Sequence, residues 1–416
     1  MSFPGGSDAG DPSGRTGWDA IIRVAVVDDS AVIRGIVTRW LEVDPEIKVV
    51  GSYVNGAMAV RQMVEVNPDV VILDIEMPEM DGLEALPLLL KAMPDLKVIM
   101  SSTLTRRNAE ISMRALSMWA ADYIPKPESR YSGSDEFKNE LIQKVRAHAQ
   151  RKRQGLTNRT YRSQGQVAPP STGSATASAP ATTAPGQRPA AAPAAARTST
   201  LPPVPAPGSI WGAKPVVLRA ASKQRPAILA IGSSTGGPQA LFKVLGELGP
   251  SLNVPVVITQ HMPATFTAIL AEHIQNASKR PTKEAANGDV LQAGHIYVAP
   301  GDYHMLVVSE GTQRVIRVNQ DPPENFCRPA VDPMFRSIAK IYGGTALGVI
   351  LTGMGHDGRD GGRVLVDAGG TIICQDEPSS VVWGMPGAAA TAGLASQVVP
   401  LDQMASTIAR ALKGGM

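Results

Sequence analysis

Apolar and polar positions fall into two alternating blocks, separated by a stretch almost devoid of large apolar residues. In the first block, the apolar runs "IIRVAVVDD", "DVVILDIEM", "KVIMSST" and "DYIPKP" end in polar residues. Between them lie segments such as "SAVIRGIVTRWLEV", where Ile33, Ile36, Val37 and Leu41 recur at helical spacing. Continuous apolar strands divided by helices predict an α/β fold with a doubly wound parallel sheet. The second block repeats the alternation with "AILAIG", "VPVVITQ", "ALGVILTG" and "GTIICQ". One interruption, "GHIYVAPGDYHMLVVSEGTQRVIRV", reads as antiparallel hairpin material added to that second sheet.

From about Leu156 to Arg225, Pro, Ala, Ser and Thr dominate. Such a segment cannot bury enough surface to offset the entropy of ordering it, and its prolines favour an extended spacer. The expected division is a disordered leader over 1–20, a first domain over 21–145, a flexible Pro/Ala-rich linker over 150–225 and a second domain over 226–416. The leader, "MSFPGGSDAGDPSGRTGWDA", lacks the apolar core of a signal peptide. No apolar run approaches the roughly 20 residues that a membrane span requires. The two cysteines, Cys327 and Cys374, make neither a disulfide framework nor a zinc site. A cytoplasmic protein is expected. A net charge of +3 makes no electrostatic case for a nucleic-acid partner.

The strand ends carry the candidate chemistry. In an open α/β sheet, ligands collect beyond the carboxyl ends of the strands. In the first block Asp28, Asp29, Asp74, Ser102 and Lys126 all fall there. Clustered carboxylates repel one another and call for a hard cation such as Mg²⁺. Lys126 can hold a phosphoryl oxygen as a point charge. Taken singly, each acid reads equally as a helix cap. Together, "VVDDS", "ILDIEMPEMDGLEAL", "VIMSST" and "YIPKP" resemble the receiver domain of two-component response regulators over residues 21–145. The resemblance implies a flavodoxin-like sheet, Asp74 as phosphoacceptor, and Asp28 and Asp29 as partners in Mg²⁺ binding. It also implies Lys126 and Ser102 as sensors of the phosphoryl group, and a histidine kinase as donor. Thr103 stays open as the alternative to Ser102.

In the second block "GSSTG" fits G-x-S-x-G, with Ser234 where a strand turns into a helix. Pro238 suits the first helical turn, and Leu241, Val244, Leu245 and Leu248 form one apolar face behind it. Free N–H groups at that helix start, around Thr235, suit an oxyanion. A phosphate loop is the rival, but no Gly-Lys-Ser/Thr and no G-x-G-x-x-G spacing is present. Of six histidines, His261 and His356 lie at strand ends on the rim of Ser234. His261 is preferred, because sequential strands are usually neighbours. Asp357 follows "ALGVILTG" on that rim and suits the role of orienting carboxylate, with Asp360 as competitor. The order Ser…His…Asp argues against an α/β-hydrolase, whose order is Ser…Asp…His.

Receiver-like motifs joined to "AIGSSTGGPQAL", "ITQHMP", "IYVAPGDYHM", "RPAVDPMFRS" and "ILTGMGHDGRDGG" resemble the chemotaxis response-regulator methylesterases, the CheB family. The resemblance implies a serine hydrolase that hydrolyses glutamyl methyl esters on chemoreceptors and deamidates selected receptor glutamines. Ser234 is then the nucleophile, His261 the general base and acid, and Asp357 the orienting group. Met354 matches a position near the oxyanion site. No cofactor is implied for the esterase chemistry. Methyl-accepting receptors would be the partners, with the protein peripheral to the membrane. The linker is longer and richer in Pro and Ala than expected for the family. A long linker lowers the effective concentration for docking, so partial inhibition by the receiver is the expectation. A DNA-binding output domain would instead need a helix-turn-helix and a basic face. A degenerate, non-catalytic scaffold is disfavoured by the presence of all three triad residue types.

Overall fold

The computed structural model describes residues 21–103, 105–126, 137–150 and 216–415. The expected leader and most of the expected linker lie outside the described residues.

The N-terminal domain runs β1 (Ile22–Val27), α1 (Ala31–Leu41), β2 (Ile47–Tyr53), α2 (Gly56–Val66), β3 (Val70–Asp74), α3 (Gly82–Ala92), β4 (Lys97–Ser102), α4 (Arg106–Ser117), β5 (Asp122–Pro125) and α5 (137–150). The strands pair in parallel in the order β2-β1-β3-β4-β5. Their side chains divide between two buried layers, as uninterrupted apolar runs require. Val24, Ile72 and Ile99 pack with Val37 of α1 and Leu141 of α5. Val27, Leu73 and Met100 pack with Met63 of α2, Leu86 of α3 and Met113 of α4. Ser30, Asn55, Asp81 and Thr105 cap the helices that leave the strand ends, and Asp81 with Glu84 forms a capping box. Helix α5 continues past residue 145, with Ala149 buried.

The C-terminal domain runs β6 (Ile228–Ser233), α6 (Gly237–Leu248), β7 (Val256–Gln260), α7 (Ala264–Ser278), β8 (Thr282–Glu284), β9 (Ile296–Val298), β10 (His304–Glu310), β11 (Gln313–Asn319) and α8 (Val331–Tyr342). It continues with β12 (Ala346–Ile350), α9 (Arg359–Asp367), β13 (Thr371–Gln375), α10 (Gly384–Thr391), β14 (Gln397–Val399) and α11 (Leu401–Leu412). Seven strands form one parallel sheet in the order β14-β13-β12-β6-β7-β9-β8. Helices α6, α7 and α11 cover one face, and α8, α9 and α10 the other.

Two details depart from the sequence expectations. The antiparallel hairpin exists, but β10 and β11 form a sheet of their own rather than extending the large one. The reason is visible in burial. Ile296, Tyr297 and Val298 are all buried, so β9 is a two-faced strand inside the parallel sheet. The hairpin instead buries Met305, Val307 and Ile316 against α8. The second departure lies at the end of the expected linker, in residues 216–225. Arg219 N donates to Ala395 O at 3.0 Å, Ser222 Oγ to Gly344 O at 2.7 Å and Arg225 Nε to Leu412 O at 2.9 Å. Polar bonds fasten this stretch while Val216, Val217 and Leu218 stay exposed, so no buried apolar pattern revealed it.

The two domains touch along α4 and α7. The ring of Tyr123, at the end of the first sheet, stacks on Phe266 with centroids 4.6 Å apart. Gln239 Nε2 donates to the carbonyls of Ala120 and Ala121 at 2.6 and 3.0 Å. His273 faces Ser117 Oγ at 3.2 Å across this contact. Among the described residues no helix is long and apolar enough to cross a membrane.

Candidate functional site

In the N-terminal domain, the ends of β1 and β3 bring Asp28, Asp29 and Asp74 together, with one oxygen of each within 4.8 Å of the others. Lys126, just beyond β5, reaches Asp28 at 3.0 Å and Asp74 at 2.6 Å. Burial raises the Asp74 carboxyl to about 6 against the pull of Lys126. An all-oxygen donor set with excess negative charge suits a hard divalent cation. Ser102 ends β4, and its hydroxyl pairs with Ser112 at 3.0 Å rather than with Asp74. Thr103 Oγ1 accepts from Asn108 at 2.6 Å.

In the C-terminal domain, β6 lies between β12 and β7. Ser234 follows β6, His261 follows β7 and Asp357 follows β12, so three adjacent strands deliver the three residues to one crest. The chain departs in opposite directions from β6, which makes this crest a topological switch point. The elbow at Ser234 is tight. Gly236 has φ of 73°, and a Cβ there would meet Val381 at 2.5 Å. Ser234 N donates to Thr352 O at 3.0 Å, tying the elbow to the exit of β12. Gln260 staples the other side: it accepts from Ser233 Oγ at 2.7 Å and donates to the carbonyls of Ser234 and His261 at 2.9 and 3.1 Å.

His261 Nε2 lies 2.7 Å from Asp357 Oδ2. That carboxylate is held from several sides. Val331 N and Asp332 N, at the start of α8, donate to it at 2.6 and 3.0 Å, Gly358 N at 2.9 Å and Asn325 Nδ2 at 3.0 Å. Burial opposes its charge, but His261 and these donors win and hold Asp357 below the usual carboxylate range. Asp332 answers in kind. Its Oδ1 accepts from Gly358 N at 3.0 Å and Gly361 N at 2.6 Å, at the start of α9. Each helix start thus binds a carboxylate carried by the other segment. Burial first, and Asp357 second, push Asp332 up to about 6.

Burial likewise disfavours the His261 imidazolium, but Cys327 and Asp357 outweigh it and raise the imidazole above its usual 6.5. The crest joins His261 to Asp357, whereas Ser234 Oγ makes no hydrogen bond among the described residues. His261 Nδ1 instead meets Cys327 Sγ at 3.4 Å. Catalytic hydrogen bonds often close only when substrate is bound. The competitors fare worse. Asp360 is exposed and pairs with Arg359 at 2.8 Å, and His356 Nδ1 has no partner among the described residues. Thr235 is buried, and with Met354 it lines the same cleft as Ser234 and His261. That cleft, about 580 Å³, is also lined by Pro125, Lys126, Phe137, Glu140 and Lys144 of the N-terminal domain.

Sequence reasoning missed Gln260, Asn325, Cys327, Asp332 and Thr352. Asp332 and Gln260 sit in the distinctive stretches "RPAVDPMFRS" and "ITQHMP". That placement was the one signal that could have singled them out.

Comparison with known proteins extends this picture to most of the chain. A family model described as CheB methylesterase matches residues 229–408, and one described as response regulator receiver domain matches residues 24–134. The protein-glutamate methylesterase/protein-glutamine glutaminase 1 of Rhodospirillum rubrum is 51% identical over 94% of this chain and 95% of its own length. The protein of the same description from Paramagnetospirillum magneticum is 53% identical over 93% of this chain and 95% of its own. The crystal structure of the Thermotoga maritima CheB methylesterase catalytic domain is 35% identical, covering 45% of this chain and 99% of that one, with a TM-score of 0.44. With a receiver fold ahead of a serine-bearing crest, and half of all positions shared with these relatives along nearly the whole length, the chain belongs to the protein-glutamate methylesterase/protein-glutamine glutaminase family.

Proposed function

We propose that the C-terminal domain, residues 216–416, hydrolyses glutamyl methyl esters on methyl-accepting receptors and deamidates receptor glutamines, and that the N-terminal domain, residues 21–150, switches it. The observation that carries this reading is the delivery of Ser234 and His261 to one cleft, with Asp357 bonded to His261 behind it, by three adjacent strands. Ser234 Oγ attacks the side-chain carbonyl carbon of the ester. Since Nε2 of His261 is engaged by Asp357, Nδ1 takes the hydroxyl proton. It returns that proton to the leaving methoxy oxygen, releasing methanol, or to the leaving amide nitrogen, releasing ammonia, when a glutamine is the substrate. Water then attacks the acyl-enzyme by the same route. Thr235 and Met354 offer backbone N–H groups, without partners among the described residues, to the tetrahedral oxyanion.

The imidazole acts as base only when neutral. Its raised pKa therefore moves the acid limb of the rate profile upward. The expected result is a kcat/KM that keeps climbing with pH above 6.5. A stopped pH series of methanol release checks it; a plateau reached below that value would contradict it.

In the switch, Asp28, Asp29 and Asp74 would hold Mg²⁺, whose charge supports phosphoryl transfer to Asp74 from a histidine kinase. Lys126 and Ser102 would then reorganise around the phosphoryl group. The stacking of Tyr123 on Phe266 and the wall of N-terminal residues across the cleft support a docked, occluding resting state. The partners place the protein at the cytoplasmic side of receptor membranes without insertion. The test is methanol release from methylated receptor, with and without a small-molecule phosphodonor. The phosphodonor should raise the rate of the native chain and leave Asp74→Asn unchanged. Equal stimulation of both would reject Asp74 as the switch, and no methanol release from either would reject the activity.

A further inference from the structure

We infer that Cys327 is a positioning residue for the catalytic base: its thiol occupies the imidazole nitrogen that Ser234 must use, and restrains His261 until substrate binding frees it. This rests on the catalytic reading of Ser234, His261 and Asp357 given above.

A neutral imidazole has one N–H and one lone pair. Asp357, which accepts from four other groups, is an ionised acceptor, so the N–H belongs on Nε2. The lone pair is then on Nδ1. Cys327 Sγ lies 3.4 Å from that atom, whereas Ser234 Oγ has no hydrogen bond among the described residues. One lone pair therefore faces two donors, and in this state the thiol has it. A thiol donating S–H to nitrogen and a charge-separated thiolate–imidazolium pair have the same consequence. Neither leaves Nδ1 available to the serine.

The thiol is aimed there by a built turn. Glu324 N donates to Cys327 O at 3.1 Å and Cys327 N to Glu324 O at 2.8 Å. Asn325 and Phe326 between them are both left-handed, with φ of 52° and 62°, the geometry of a tight type I′ turn. Neither is glycine, so the conformation is held from outside. Asn325 Nδ2 bonds both Asp332, at 2.9 Å, and Asp357, at 3.0 Å. Glu324 is paired with Arg336 of α8. The turn that presses sulfur onto Nδ1 is thus pinned to the carboxylate that grips Nε2. Cys374 is buried within β13 and takes no part.

The imidazole contacts Asp357 and Cys327; Arg328 of the same domain and Asp122, Lys126, Glu140 and Lys144 of the N-terminal domain line the cleft around it. Replacing Cys327 alters this set at one point only.

The experiment uses the full chain with C327A and C327S. It follows methanol release and the rate at which a fluorophosphonate labels Ser234, across a pH series. C327A is expected to label and turn over roughly three- to ten-fold faster near neutral pH, as loss of one hydrogen bond to the base implies. The gain should lie in kcat rather than KM. A serine hydroxyl can still donate to Nδ1, so C327S should stay near the native rate. A merely structural cysteine would give no gain. Unchanged or slower labelling in C327A would overturn the inference. If that occurred while S234A still lost all methanol release, the catalytic reading would stand without it.

Discussion

Ser234→Ala is expected to eliminate methanol release while leaving the fold intact. Removing a triad nucleophile costs about 10⁴-fold or more in well-studied serine hydrolases. The expected loss here is of that order, in kcat. Stability should barely change, for a structural reason. Ser234 Oγ has no hydrogen bond among the described residues, so the alanine leaves no orphaned partner. The elbow is fixed instead by backbone bonds through Thr352 O and by Gln260. A change within about 0.5 kcal/mol is expected for such a substitution. Methanol assays alongside thermal melts check both halves. Near-native activity in this variant would remove Ser234 from the chemistry.

Asp357→Asn is expected to be nearly as damaging, at about 10⁴-fold in kcat. The carboxylate accepts from His261, Asn325, Val331, Asp332 and Gly358. An amide has an oxygen for one side only. Its NH₂ group must face either the imidazole N–H together with Val331 N, or Asn325, Asp332 N and Gly358 N. Facing the imidazole, it reverses the tautomer and puts the proton on Nδ1, where Ser234 needs a lone pair. In either orientation it leaves buried donors unpaired, at about 1–3 kcal/mol. Unlike Ser234→Ala, this variant should therefore lose both rate and melting temperature. Asp360→Asn is the control. Asp360 is exposed and, among the described residues, bonds only its neighbour Arg359, so this variant should behave as the native chain. Comparable losses in the two variants would mean that the orienting carboxylate has been misassigned.

Much of this site could be read from the sequence because strand ends announce themselves. "AILAIGSSTGG", "VPVVITQH" and "ALGVILTGMGHD" each show an apolar run giving way to polar residues, and parallel pairing then puts those residues on one edge. The same logic found Asp28, Asp74 and Lys126. What escaped notice has a different physical basis. Asn325, Cys327 and Asp332 act through a few polar contacts to partners such as His261, Asp357 and the start of α9. No periodicity marks such contacts. Residues 216–225 were grouped with the linker because exposed chain held by polar bonds shows no strand or helix periodicity. The β9 strand was absorbed into the hairpin because a three-residue run, "IYV", is too short to show whether one face or two are buried.

The central claim is that Ser234 carries the acyl group. The most direct measurement is to label the full chain with a fluorophosphonate, digest it and locate the adduct by mass spectrometry, comparing native protein with Asp357→Asn. The expected result is an adduct on Ser234 that forms far more slowly in Asp357→Asn. An adduct on Cys327 or elsewhere, with Ser234 unmodified, would contradict the assignment of the nucleophile.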